Sequence, residues 1–223
     1  MIAEAAVFLK DELRRYLLIS QAISQQNDVI LANISSLESQ ETLANKVVIS
    51  LVNIEEESTL KNGKNFIKNL SNNTIETVSP PIHLNLYFLF TATLSTNEAS
   101  IDEGYQDALH RIAATIEFFQ AKRVFTIQNS AGFSPTNIDE SRLTELRLLP
   151  ELFTLTFEQI NHLWGSLGGK QSPFVMYKVR LVKIQSQIST EVPIIDTIKT
   201  DRKELNAERL DQVDRFKKLN DNN

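Results

Sequence analysis

Two hydrophobic periods alternate along this chain. Over residues 1 to about 20, Ile2, Ala5, Ala6, Leu9, Leu13, Tyr16 and Leu17 recur on one helical face, with Glu4, Lys10, Asp11, Arg14 and Arg15 opposite. That spacing predicts an amphipathic helix whose apolar stripe is wide enough to dock on a sheet. A second helix is predicted from Ile101 to about Lys122, where Tyr105, Ala108, Leu109, Ile112, Ile116 and Phe119 form the core-facing stripe. Asp102 and Glu103 suit the positive end of its dipole. Between the helices the period shortens to two. Val47, Ile49 and Leu51 alternate with Val48, Ser50, Val52 and Ile54, so a strand is predicted from Asn45 to Glu55, apolar on both faces and therefore central. Pro80-Pro81 open the longest such run, Ile82 to Leu94, the predicted spine of the sheet. Shorter strands are predicted at 29–34 and 123–129, and at 143–149 with a helix as the alternative.

The stretch from Pro150 to Ile184 has the most internal structure. Leu152, Thr154 and Thr156 alternate with Phe153, Leu155 and Phe157, predicting a strand. From Phe157 the apolar positions 157, 160, 163, 164 and 167 fall on one helical face, and Gly168-Gly169 supplies a left-handed stop. Another strand follows Pro173. In it Val175, Tyr177, Val179 and Leu181 share one face and Met176, Lys178, Arg180 and Val182 the other, the pattern of a sheet covered on one side. Trp164 and Tyr177 belong to these stripes, which places them in the core. The expected fold is α+β: a single mixed, mostly antiparallel sheet of five or six strands, covered on one face by the two main helices, within a domain spanning residues 1–185.

Two segments depart from these patterns. Residues 56–79 are rich in Asn, Lys and Ser, a long excursion between strong strands that reads as an exposed functional loop or a floppy hairpin. Its Phe66, Ile67 and Leu70 either clamp the loop to its own domain or meet a neighbouring subunit. Beyond residue 185, Ile194, Ile195 and Ile198 make a small apolar knot. Residues 199–223 are dense in charge, with only a thin stripe of Leu205, Leu210, Val213 and Phe216. Residues 186–223 are thus a C-terminal arm that orders on a partner or a disordered tail.

Composition narrows the chemistry. A chain of 223 residues that is 42% hydrophobic and 23% charged can build one good-sized core. Its net charge of −5 gives no support for nucleic-acid binding. The absence of cysteine rules out disulfides and thiolate metal sites. No run reaches the length and apolarity of a membrane span, and the first residues lack the form of a signal peptide, so cytoplasmic folding is expected. His83, His110 and His162 lie on three different elements with no metal-ligand spacing. Gly168-Gly169-Lys170-Gln171 superficially suggests a phosphate loop, but it follows a helix instead of opening one. Glu55-Glu56-Glu57 and Asp139-Glu140 are read as solvated edges, not paired catalytic carboxylates. No catalytic residue, cofactor site or metal site is expected.

One segment carries a resemblance. The polar helix ending in Leu163-Trp164-x-x-Leu167-Gly168, followed by the Pro173-Phe174 step into a strand with Tyr177 and Val179, resembles the signature near the end of tail-terminator (cap) proteins of phage-tail-like contractile injection systems. Those proteins share an N-terminal helical start followed by a two-strand hydrophobic centre. The resemblance implies a six-subunit ring at the tail end distal to the baseplate, which stops polymerisation of the inner tube and sheath and locks the sheath end to the tube. The implied partners are further copies of the chain and the sheath and inner-tube proteins, with assembly in the cytoplasm into an injection particle. A closed ring needs two different patches per subunit. The 56–79 loop and the 186–223 arm are the expected ones, through Phe66, Ile67, Leu70, Ile194, Ile195, Ile198, Leu205, Leu210, Val213 and Phe216. The rival expectations are a tube or baseplate subunit of the same particle, with a longer barrel-forming β pattern, and an enzyme, which would need a convergent polar pocket.

Overall fold

The computed structural model describes residues 1–34, 44–60, 66–69, 74–94, 101–130, 146–168, 171–184 and 189–193, with 66–69, 74–78 and 189–193 described by their backbone. Helix α1 (Ile2–Ile19) leads into β1 (Val29–Leu31) and β2 (Val47–Glu56). After these come β3 (Phe66–Asn69), β4 (Thr74–Val78), β5 (Ile82–Ala92) and α2 (Ile101–Ala121). The remaining elements are β6 (Phe125–Thr126), β7 (Arg147–Leu152), α3 (Phe157–Ser166), β8 (Phe174–Ile184) and β9 (Ser189–Pro193).

Six strands form one sheet in the order β1-β2-β5-β8-β7-β6, antiparallel except for the β1–β2 pair. This is the expected α+β fold with a mixed, mostly antiparallel sheet. The chain divides into two compact units, Met1–Asn65 with Val78–Ile188, and Phe66–Thr77 with Ser189–Asn223. The first unit holds the six-stranded sheet and the three helices. In the second, β3 and β4 form a hairpin pairing Phe66 with Thr77 and Asn69 with Thr74, and β9 completes a three-stranded sheet in the order β3-β4-β9. The 56–79 segment thus contains a hairpin, and part of the C-terminal segment is a strand.

Strand β5 is the spine, as its length predicts, because it pairs with β2 on one side and β8 on the other. Its alternation sorts the interior. Leu86, Phe88, Phe90 and Ala92 face the main core, with Phe8, Leu9, Leu13 and Leu17 of α1 and Ala108, Ile112, Phe118 and Phe119 of α2. Rings interlock there: Phe90 meets Phe119 at 5.1 Å and Tyr177 at 5.9 Å, both edge-on, the geometry favoured by the aromatic quadrupole. Tyr87 and Leu89 face the other way, into a smaller cluster with Met176, backed by Phe153, Leu155, Leu163 and Leu167. The sheet is therefore covered on both faces, fully on one and partly on the other, where the alternation in β8 predicts one covered side.

Polar ties hold the helices to the sheet. Glu12, buried on α1, accepts from Lys122 Nζ at 2.7 Å and from Arg15 Nη2 at 2.8 Å. The same ammonium donates to the Asn129 carbonyl and the Ser130 hydroxyl and lies 4.8 Å from the Phe125 ring centre. Arg111, buried on α2, donates to Asn45 Oδ1 and to the Thr93 carbonyl. Asn45 holds a left-handed turn, φ 67°, a conformation asparagine tolerates better than most residues.

Several local expectations shift. The strand predicted over 152–157 instead ends at Leu152, because Thr156 caps α3: its hydroxyl accepts from the Gln159 N–H while Gln159 Oε1 accepts from the Thr156 N–H. Gly168 follows α3 with φ 104°, the predicted stop. Strand β7 includes Pro150, which pairs only with Val179 on β8. Its neighbour β6 reaches no further than Arg147 and Leu148, so the missing N–H costs no ladder bond on that side. The strand predicted at 123–129 shrinks to two residues. Asn129 folds back, its amide donating to the Val124 carbonyl and its oxygen accepting from the Thr126 N–H, a local pairing that competes with the ladder. The strand predicted at 29–34 stops at Leu31. Residues 143–145 lie outside the described residues.

Strand β2 is central only in its first half. β1 pairs with it over Val47–Ile49 alone, and from Leu51 its side chains are largely exposed. In β8 the pairing with β5 slips between Leu84 and Leu86, a bulge that shifts the side-chain alternation. Val182, expected on the cationic face, therefore joins Val175, Tyr177 and Val179 in the main core. The α2 stripe is also turned by roughly a quarter of a helical circumference. Gly104, Ala108, Arg111, Ile112, Thr115, Phe118 and Phe119 are buried, whereas Tyr105, Leu109 and Ile116, predicted to face the core, are exposed.

Candidate assembly surfaces

The second face of the sheet carries a polar ladder that crosses four strands. Tyr87 on β5 donates to Glu55 Oε2 on β2 at 2.5 Å, and the Lys178 ammonium of β8 lies 5.5 Å from the Tyr87 ring centre. Just beyond the end of β2, Glu57 accepts from Asn85 Nδ2 at 3.0 Å and from the Thr59 hydroxyl at 2.7 Å. Arg180 on β8 approaches Glu57 at 3.7 Å and donates to Glu151 on β7 at 3.0 Å. The bulge in β8 falls beside these groups.

The electrostatics follow from these partners. The Asn85 amide, then the Thr59 hydroxyl, hold the Glu57 carboxyl at about 2, well below its ordinary 4.5. Desolvation raises the Tyr87 phenol, and its bond to Glu55 adds to the shift. The hydrogen bond to Glu151 raises Arg180. A carboxylate held that low is a poor proton shuttle near neutrality, and the ladder's geometry is that of a cross-strand brace. Sequence reading took Glu55-Glu56-Glu57 for a solvated edge and missed the brace. The available signal was parity: Asn85 and Tyr87 interrupt an apolar strand on the same face, as Lys178 and Arg180 do in its neighbour.

No group of three potential ligands from His, Asp and Glu forms among the described residues. His110 is exposed on α2, and exposed His162 lies 3.9 Å from Glu158 one helical turn away. Among the described residues no helix is long and apolar enough to cross a membrane. Trp164 and Tyr177 are both buried, as their stripes predict. Phe157 is 88% exposed at the start of α3, a departure from the stripe that included it.

What the first unit offers its surroundings is apolar surface. Leu51 and Ile54 on the exposed half of β2, Ile82 at the start of β5 and Leu60 are all exposed. So are Leu152 with Phe157, and Ile101, Tyr105, Leu109 and Ile116 along α2. Of the subunit-contact residues expected from sequence, Phe66 and Ile67 lie on β3. Leu70, Ile194, Ile195, Ile198, Leu205, Leu210, Val213 and Phe216 lie outside the described residues.

The Pvc16 N-terminal domain family model matches residues 5–197, which hold most of α1, all of α2 and α3, and all nine described strands. The chain belongs to this family. No curated protein matches it. Two cryo-EM structures share its fold. One is the sheath/tube terminator of PVC, an extracellular contractile injection system, in its extended state. It aligns with a TM-score of 0.51 at 14% identity over 96% of this chain and 69% of that one. The other is the tube-terminating cap of the anti-feeding prophage, with a TM-score of 0.51 at 13% identity over 90% of this chain and 61% of that one. Membership of the Pvc16 N-terminal domain family, together with these two structural neighbours, bears out the terminator resemblance carried by Leu163-Trp164, Gly168 and the β8 strand.

Proposed function

We propose that this chain is a terminator, or cap, of a contractile injection system. It closes into a ring of its own copies, a hexamer, at the tail end distal to the baseplate. There it ends polymerisation of the inner tube and the sheath and joins the sheath end to the tube. The observation carrying this reading is that the family match over residues 5–197 and the likeness to two solved terminators fall on the same stretch of chain. The surface supports it physically: apolar side chains stand exposed on separate elements, and the carboxylates of the ladder are occupied in bracing strands.

In this reading the chain acts by shape and turns over no substrate. Its partners are its own copies and the sheath and inner-tube proteins. The net charge of −5 disfavours a polyanion, and neither nucleic acid nor membrane is among its partners. Assembly takes place in the cytoplasm, and the chain becomes part of the injection particle. Subunit contacts are assigned to Phe66, Ile67 and Leu70 and to the apolar positions between Ile194 and Phe216. The test is to produce the cognate inner-tube and sheath proteins with and without this chain and to image the products by electron microscopy. Sheathed tubes with one closed end and a narrow length distribution are expected only when the chain is present. Unchanged lengths, with no density from this chain at tube tips, would overturn the reading.

A further inference from the structure

Helix α2 is apolar over a wider arc than its own sheet covers. Ile101, Tyr105, Leu109 and Ile116 are 90%, 48%, 44% and 39% exposed, and at 3.6 residues per turn they fall within about 80° of one another. Together they make a continuous ridge beside the buried Ala108, Ile112 and Phe119. The charged residues on the exposed part of the helix are Asp102, Glu103, Asp107 and Glu117, all acidic. An apolar ridge flanked by one sign of charge suits an apolar partner flanked by the other sign.

The chain itself carries that complement. Residues 61–68 read Lys-Asn-Gly-Lys-Asn-Phe-Ile-Lys, with Phe66 and Ile67 among three lysines, and the hairpin's one acid is Glu76, across from Ile67, so residues 61–78 carry three cations against one anion. Phe66–Asn69 is β3, at one end of the three-stranded order β3-β4-β9. We infer that the α2 ridge is the receptor for the β3–β4 hairpin of a second copy, the acids beside the ridge matching the lysine-rich sequence that leads into and through β3. Ridge and hairpin are different patches, so each copy gives one and receives one, the head-to-tail contact that closes a ring. The inference rests on the ring reading above and assigns its receiving face.

The absence of cysteine makes the contact directly testable. A Leu109→Cys copy and a Lys68→Cys copy of the full chain are mixed and oxidised. Cross-linked pairs are expected at least tenfold above either variant alone. Separately, Leu109→Lys should raise the concentration needed for assembly at least tenfold in mass photometry, with far-UV circular dichroism and thermal midpoint unchanged. Asp102→Lys should weaken assembly similarly, and adding Lys68→Glu in the same chain should restore it to within about threefold. Wild-type rings with no 109-to-68 cross-link, and with Leu109→Lys assembling normally, would overturn the inference and leave the ring intact. Such a result would assign the ridge to a sheath or tube subunit. A wild type that stays monomeric at every concentration would overturn both.

Discussion

The two faces of the six-stranded sheet solve different problems with the same strands. On the helix-covered face, Leu86, Phe88, Phe90, Val179 and Val182 are almost wholly excluded from water by α1 and α2, and stability there rests on apolar burial and ring packing. On the other face the buried apolar cluster is small, Tyr87, Leu89 and Met176, and buried polar groups, Asn85 and Thr91, lie beside it. Along the rest of that face, Glu55, Glu57, Asn85, Arg180 and Glu151 brace the strands through hydrogen bonds. One face therefore specifies the fold, and the other keeps a stiff, partly polar surface available to neighbours.

The sharpest way to break the comparison is to delete one large side chain from each face. Phe90→Ala removes a fully buried ring with two ring partners and should cost about 4 kcal/mol in chemical denaturation. Leu89→Ala on the smaller cluster should cost about 3 kcal/mol, because a thinner, less enclosed layer collapses more readily around the gap. Equal losses would mean that the two clusters are equally rigid. Next comes the tie between helices. Glu12→Gln leaves Lys122 without its carboxylate and should cost about 3 kcal/mol, read as a lower urea midpoint. Glu12→Gln with Lys122→Met should recover part of that loss, because the less exposed of the two cations is then gone and Arg15, 44% exposed, remains in reach of water.

The polar face is expected to respond to acid. The Glu57 carboxyl is depressed from its ordinary 4.5 to about 2, so its contribution is fully present above the unfolded value and is lost as pH falls through that interval. Wild-type stability should therefore decline between about pH 5 and 2 more steeply than that of Glu57→Gln. Parallel pH profiles of the denaturation midpoint would remove Glu57 from the brace. The smallest effect is local. Gln21 follows α1 with φ 58°, a left-handed conformation that strains a side chain, so Gln21→Gly should stabilise by about 0.5–1 kcal/mol. An unchanged or lower thermal midpoint would show that no such strain is relieved there.

The sequence by itself determined the elements whose periodicity is long and whose boundaries are chemically marked. α1, α2, β5 and β8 follow their apolar spacing, α3 begins at the Thr156 cap, and Gly168 ends it. The signature over 157–184 pointed to the terminator family because it records a local structure: helix, left-handed stop, strand. The tertiary structure alone decided which part of each stripe is covered. Tyr105, Leu109 and Ile116 are as apolar as Ile112 and Phe119, yet they are exposed because the sheet reaches only one side of α2. It also decided where Val182 points, because one slip in the β5–β8 register shifts the alternation beyond it. The Glu57 and Arg180 contacts were hidden for a related reason. Their partners lie on other strands, and a local pattern carries no record of which strands become neighbours.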